Sequence, residues 1–258
     1  MPEGDTIFRA ATVLRRALAG RPLVGFEAPR LRPSPFPNGT SITSVEARGK
    51  HLLIGFDDHR VLHTHMQMSG SWHVYAPSQA WRRPASQLRV RVDVPEATAV
   101  CFNAPVVELL HDRELARHPR LSALGPDLCS PDADLDEVLR RLARLSGETE
   151  LGVALLDQRV ASGIGNVYKS EVLHAERLDP FAPLSAIDVA TRRRTFATAA
   201  TLLRANLDGG RRVTAAGGVA VYGRSGRPCP RCRGPIAMRR QGEAARSTYW
   251  CPSCQAPA

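Results

Sequence analysis

Four cysteines near the end of the chain constrain its fold more tightly than any other feature. They read Cys229-x2-Cys232-x18-Cys251-x2-Cys254. Two CxxC knuckles at this separation suit one tetrahedral zinc ion, each pair holding one edge while the residues between them return as a β-hairpin. Two disulfides could use the same thiols, but they belong to oxidising compartments. The N-terminus carries Glu3 and Asp5 where a secretory leader would carry positive charge and then an apolar stretch. A cytoplasmic location and one structural zinc per chain are therefore expected. So small a segment has little core, and the metal would supply most of its folding energy. Cys101 and Cys129 fit no such pattern and are expected to be packed thiols.

The 258 residues carry a formal charge of +10, which favours a polyanionic partner, nucleic acid first. No apolar run approaches the ~20 residues of a membrane span. Only two of the 35 basic residues are lysines, Lys50 and Lys169; the other 33 are arginines. A lysine that persists in such a chain is a candidate for what arginine cannot do, which is to give up a proton near neutral pH.

Hydrophobic periodicity divides the remainder. Residues 5–19 read as a helix capped by Asp5, with Ile7, Phe8, Ala11, Leu14 and Leu18 at helical spacing before Gly20. Between about residues 22 and 110 short β-type runs (HLLIGF, RVLHTHM, GSWHVY, LRVRVDV, AVCFNA) alternate with turns, which predicts an antiparallel sandwich or barrel. The Pro- and Asp-rich stretch 123–136 reads as a linker. Helical patterns follow at 134–145, 151–158, 166–178 and 186–207, and then a Gly/Arg-rich loop at 208–218. The turn SGIGN between two helices places backbone amides and a helix start, at Asn166, where a phosphate could bind; a glycine turn capped by Asn166 is the purely structural alternative. In the cysteine hairpin, Arg239, Arg240 and Arg246 are presented on a metal-stiffened turn.

These motifs fall in one order: PEGD (2–5), ARGKHLL (47–53), HMQMSGSW (65–72), LGPD (124–127), LDQRVASGIGNVY (156–168) and RSTYWCPSC (246–254). In that order and spacing the chain resembles the formamidopyrimidine-DNA glycosylase/endonuclease VIII family of bifunctional repair enzymes. The resemblance implies an α+β, multidomain chain: an N-terminal β-sandwich with a leading helix (1–122), a helix–two-turn–helix DNA-binding domain (123–220) and a C-terminal zinc-finger β-hairpin (221–258). Damaged DNA would be the partner of a monomer and would lie in the cleft between the domains. By the same resemblance Pro2, exposed by removal of Met1, is the nucleophile, Glu3 a general acid/base, Lys50 a proton donor and DNA contact, and Asn166 a phosphate ligand. Arg246 would contact DNA and assist strand cleavage. The chemistry is consistent with this. A secondary amine attacking C1′ can form an iminium, and an α-amino group titrates near ~8, against ~10.4 for lysine.

The formamidopyrimidine branch follows its central strand with an arginine-and-phenylalanine loop, and FNAPVVELL (102–110) has neither residue in that place. The chain looks instead like the endonuclease VIII branch, which makes Gln67 and Met68 the wedge that fills the void left by a flipped base and oxidised pyrimidines the expected substrate. Several positions depart from the pattern. Ser69 is small for a third wedge residue, Ala123 offers no DNA contact, and the cysteine hairpin is two residues longer than usual. Lys169 falls where the family varies, so a phosphate contact or exposure to solvent is expected. For His63 and His65, structural hydrogen bonding is expected over a metal site. A zinc-ribbon protein that binds DNA or senses damage without chemistry, and a glycosylase for 8-oxoguanine and formamidopyrimidine lesions, are the competing readings.

Overall fold

Ile7, Ala11, Leu14 and Leu18 recur every three or four residues and form the buried face of the first helix, α1 (Gly4–Leu18). Its cap is Glu3 rather than the expected Asp5. The Glu3 carbonyl accepts from the amides of Thr6 and Ile7 at 3.0 and 3.1 Å, which starts the helix one residue before Asp5. Asp5 lies inside the first turn, buried and paired with Arg9 at 3.5 Å.

In the computed structural model, which describes residues 2–32 and 35–256, the chain forms two compact units, Met1–Ser122 and Ala123–Ala258. The first holds two antiparallel four-stranded sheets. One has the order β1 (Gly25–Glu27), β6 (Leu88–Val94), β7 (Ala97–Phe102), β5 (Ser71–Tyr75). The other has the order β2 (Ile42–Arg48), β3 (His51–Phe56), β4 (Arg60–His65), β8 (Val106–His111). Ile54 and Leu62 from one sheet share a core with Val90, Val92 and Cys101 from the other and with α1, which makes the pair a sandwich. The strict alternation of LRVRVDV matches the buried–intermediate pattern of β6. By contrast, every residue of β3 is buried. Two short helices, α2 (Asp112–Ala116) and α3 (Pro119–Ser122), close the unit. The stretch 102–110 holds a strand, β8, reached from β7 by a turn of three residues through Asn103 at φ 53°.

The second unit contains α4 (Leu135–Leu142), α5 (Leu151–Ala154), α6 (Asn166–Glu176), α7 (Val189–Arg204) and the hairpin β9 (Ala237–Gln241) with β10 (Arg246–Trp250). Asp134 caps α4, its carboxylate accepting from the amides of Asp136 and Glu137. The first half of the expected linker at 123–136 is instead packed. Leu128 and Cys129 are buried, Asp127 pairs with Ser162, and a Cβ at Gly125 would lie 2.2 Å from the Val160 carbonyl oxygen. The packing is confined to this first half; Pro131, Asp132 and Asp134 are exposed. Residues 166–174 of α6 are all buried, the polar Asn166, Lys169, Ser170, Glu171 and His174 among them.

Candidate active site

The register of the β3–β4 hairpin brings two of the expected site segments to one end of a sheet. His51, the first residue of β3, pairs with His65, the last of β4. Lys50 therefore sits beside the start of the Met66–Gly70 loop. Lys50 is half-buried on the Gly49–Lys50 turn between β2 and β3, with Gly49 at φ 59°. Gln67 and Met68 project at the loop tip, Met68 with 63% of its surface exposed. Gln67 has φ 45°, a left-handed conformation uncommon for glutamine, and its amide donates to His65 Nδ1 at 3.2 Å. Gly70 closes the loop onto the Met66 carbonyl at 2.8 Å. A Cβ at residue 70 would come within 2.8 Å of that oxygen and 3.0 Å of the Ala104 Cα, so only glycine fits. Ser69 is held by a bond from its hydroxyl to the Asn103 carbonyl at 3.1 Å.

Three histidines line the same sheet face. His51 Nδ1 lies 2.8 Å from His63 Nε2, and His63 Nδ1 lies 2.8 Å from Glu108 Oε2 on β8. Glu108 Oε2 is also 3.1 Å from His118 Nε2. Burial, with the neighbouring His65 and His63, pulls His51 down to about 3; burial and the Lys50 charge hold His65 near 4. Burial likewise lowers His63. All three are neutral at pH 7. Although burial works the other way, the hydrogen bonds from His63 and His118 hold Glu108 below its ordinary value. Ligand-type atoms of His63, Glu108 and His118 lie within 4.8 Å of one another, but at these distances each nitrogen is hydrogen-bonded to the carboxylate, in line with the structural bonding expected of His63 and His65. Neither His51, Glu108 nor His118 was marked by its spacing; strand register joins His51 and Glu108 to His63, and the turn between α2 and α3 brings in His118.

At the start of α1, Glu3 is fully buried while Pro2 beside it is half-exposed. A carboxylate at this position is favoured by the positive end of the helix dipole. Removal of Met1 concerns a residue outside those described.

In the second unit, one face of α6 grips the hairpin. Asn166 Nδ2 donates to the Ser247 carbonyl at 2.6 Å, Lys169 Nζ donates to Thr248 Oγ1 at 2.6 Å and to the Ser247 carbonyl at 3.4 Å, and Ser170 Oγ accepts from the Tyr249 amide at 3.3 Å. His174 Nε2 reaches Cys229 Sγ at 3.4 Å. Lys169 is 0% exposed, which overturns the expectation of solvent exposure or a phosphate contact. Thr248 passes the bond on to Gln241 Oε1, and Gln241 Nε2 donates to Glu150, so a carboxylate terminates the line that begins at the buried ammonium. Asn166 is the first residue of α6 and Gly165 its cap; the asparagine is only 5% exposed. Glu171, one step along, accepts from the amides of Ala220, Val221 and Tyr222 and from the Thr214 hydroxyl, which orders the Gly/Arg-rich loop. Sequence periodicity gave no sign of these struts.

The hairpin arginines differ among themselves. Arg239 lies 3.5 Å over the Phe181 ring and Arg240 donates to the Ala245 carbonyl at 3.1 Å, while Arg246 is exposed at the start of β10. The four cysteine sulfurs lie within 4.8 Å of one another, with Cys232–Cys251 at 3.4 Å and Cys229–Cys254 at 3.9 Å. Zinc–sulfur bonds of ~2.3 Å in a tetrahedron require sulfurs ~3.8 Å apart, whereas a disulfide requires ~2.05 Å. Burial and the three neighbouring thiols push Cys254 up to about 12, while backbone hydrogen bonding at Gly234 and the neighbouring thiols lower Cys232 to about 7. The residues fit a zinc ion, held by Cys229, Cys232, Cys251 and Cys254. Cys101 and Cys129 are buried away from this group, and burial raises Cys101 to about 12.

Comparison with known proteins agrees with this geometry. Residues 1–105 match the formamidopyrimidine-DNA glycosylase N-terminal domain, 124–216 its H2TH domain, and 226–257 the zinc finger found in FPG and IleRS. The chain is 42% identical over 264 residues to the probable endonuclease 8 2 of Streptomyces coelicolor, covering 99% of this chain and 94% of that one. It is 34% identical over 262 residues to the DNA-(apurinic or apyrimidinic site) lyase Nei2 of Mycolicibacterium smegmatis, covering 99% of each, and 33% identical over 274 residues to endonuclease 8 of Escherichia coli, covering 99% and 100%. Among solved structures, Lactococcus lactis Fpg in complex with a DNA containing N7-benzyl-Fapy-dG superposes with a TM-score of 0.83 at 20% identity, over 99% of this chain and 100% of that one, a likeness of fold. The chain belongs to the formamidopyrimidine-DNA glycosylase/endonuclease VIII family.

Proposed function

We propose that the chain is a bifunctional DNA glycosylase and AP lyase of base excision repair that works through its N-terminal proline and prefers oxidised pyrimidines. The observation that carries this reading is Glu3, held wholly out of water at the positive end of α1 and next in the chain to Pro2, whose nitrogen becomes a secondary amine once Met1 is removed. The Pro2 nitrogen bonds to C1′ of the flipped nucleotide as the bond to the damaged base breaks. The ring oxygen then takes a proton as the sugar opens, and the nitrogen and C1′ are left joined as an iminium. Loss of a C2′ proton expels the 3′ phosphate (β-elimination), and a second elimination expels the 5′ phosphate. Glu3 shuttles protons to and from the sugar oxygen, and Lys50 supplies a proton and a phosphate contact. Gln67 and Met68 fill the vacated stack, Asn166 offers a phosphate the side-chain amide hydrogen that it does not give to the Ser247 carbonyl, and Arg246 contacts DNA and assists the last elimination.

The substrate preference is supported by the three-residue turn between β7 and β8, which leaves no protruding loop where the formamidopyrimidine branch carries its arginine and phenylalanine. We further propose that the enzyme acts as a monomer in the cytoplasm; no helix among the described residues is long and apolar enough to cross a membrane. Incision of duplexes carrying thymine glycol, 5-hydroxycytosine, 8-oxoguanine or an abasic site tests the reading. Faster release of the two pyrimidines than of 8-oxoguanine is expected. Binding without incision of any of them would favour a damage-sensing protein.

A further inference from the structure

The histidines and Glu108 on the outer face of β3, β4 and β8 admit one assignment of protons. An ionised carboxylate only accepts hydrogen bonds. Its contacts at 2.8 Å with His63 Nδ1 and at 3.1 Å with His118 Nε2 therefore place a proton on each of those nitrogens. In a neutral ring the other nitrogen is then bare. For His118 that is Nδ1, which accepts from the Leu121 amide at 3.3 Å. For His63 it is Nε2, which must accept from His51 Nδ1 at 2.8 Å. His65 is fixed separately, because its Nδ1 accepts from the Gln67 amide and its proton sits on Nε2. The four rings share no conflicting donor, and every N–H of the chain from His51 to Glu108 points toward the carboxylate. A metal at His118 Nε2 would need the proton on Nδ1, facing the Leu121 N–H. The cavity of about 440 Å³ beside the cluster also has Arg120 in its lining, a poor neighbour for a cation.

His51 and His65 are the cross-strand pair from which Lys50 and the Met66–Gly70 loop both extend, and their ring centroids are 4.6 Å apart. We propose that Glu108 is a positioning residue for the reaction: through the tautomers it imposes on His63 and His51 it fixes the hairpin end that carries Lys50 and the Gln67–Met68 tip. Its own side chain is 40% exposed, while His63 is 1% exposed, so a solvent-accessible carboxylate orders rings buried beneath the site. The inference rests on the roles given above to Lys50, Gln67 and Met68. Its first readout, however, does not involve activity.

Long-range 1H–15N spectra of the zinc-loaded protein report which nitrogen of each ring is protonated. Expected are Nδ1–H for His51 and His63 and Nε2–H for His65 and His118. In Glu108→Leu the His51 and His63 signals should become tautomer mixtures, and the rate of base excision at saturating substrate should fall ~10–100-fold with KM little changed, the scale on which misplacing a reacting group acts. Glu108→Gln keeps an oxygen able to accept from both rings and should restore the pure tautomers and most of the rate, which separates positioning from a general loss of folding. The other tautomers in the parent protein, a second zinc per chain with ring nitrogens metallated, or equal losses in the Leu and Gln variants would each overturn the proposal. Altered tautomers with an unchanged rate would overturn the positioning role while leaving the function intact.

Discussion

The two lysines of the chain, one in each unit, have opposite surroundings. Lys50 is half-buried on a tight turn at the end of a sheet, beside neutral histidines. Lys169 is wholly buried on α6, where its ammonium donates to Thr248 and Ser247 of the hairpin. In a chain that otherwise uses arginine, the two positions suggest different reasons for keeping lysine. At Lys169 the reason is shape, since a compact ammonium fits a closed space that a planar guanidinium would overfill. Lys50 is only half-buried, and the reason proposed there is chemical: a proton that arginine cannot give up near neutral pH. Rarity of a residue type therefore marks a position without saying whether packing or reaction keeps it.

The contrast breaks most visibly through the metal. A structural zinc contributes on the order of 10 kcal/mol or more to the folding of such modules. Removing it, or making Cys229→Ser, should abolish hydrogen-exchange protection in β9 and β10 and along α6, whose struts would lose their partners. Protection in β2–β4 should survive. Uniform loss across both units would show that they do not respond as separate bodies.

Next in size is Lys50→Arg. Charge is kept but the usable proton is lost, so base excision should fall ~10²–10⁴-fold, the range of general acid–base effects. Affinity for damaged duplex should stay within a few-fold, and cleavage at a preformed abasic site should drop less than excision does. A mild, equal loss in all three assays would reduce Lys50 to a phosphate contact.

Lys169→Arg should act on stability instead. Overfilling a packed site costs about 1–3 kcal/mol, to be read as a lower midpoint for the second unit in denaturant, with excision per folded molecule unchanged. An unaltered midpoint would mean that the space around Lys169 is looser than its burial implies.

The smallest expected effect is on pH dependence in the first unit. His51 and His65 have folded values of about 3 and about 4 against 6.5 for the free side chain. The unfolded state therefore binds more protons, and stability is complete above pH 6.5 and declines as pH falls toward 4. Glu108, held below its ordinary value, adds a loss of the same sign at lower pH. Lys50, Arg120 and His118 face these groups and work against additional positive charge. Amide exchange in β3 and β4, followed from pH 7.5 to 5, should quicken beyond the intrinsic dependence; a flat or opposite trend would contradict the burial assigned to the rings.

Much of this was legible in the sequence. The cysteine spacing identified the metal hairpin because zinc geometry leaves few alternatives, and period-2 alternation identified β6 because one of its faces is the core. Motif order identified the family, and the proposed roles of Pro2, Glu3, Lys50 and Asn166 come from that resemblance. The Lys169 strut and the Glu108–histidine chain were hidden because each joins residues far apart in sequence through register or helix packing. The first half of the stretch 123–136 misled for a related reason: its turn residues signal a break in regular structure, and a break can be packed as tightly as a helix.

The reactive amine proposed for this chain is the nitrogen of Pro2. Borohydride reduction during turnover on a duplex with one oxidised pyrimidine, followed by proteolysis and peptide mass spectrometry, tests it most directly. One stable DNA adduct is expected on the N-terminal peptide, at residue 2, in protein lacking Met1, and none in Pro2→Gly protein that retains Met1. An adduct mapped to Lys50 or Lys169, or full activity in preparations that retain Met1, would contradict it.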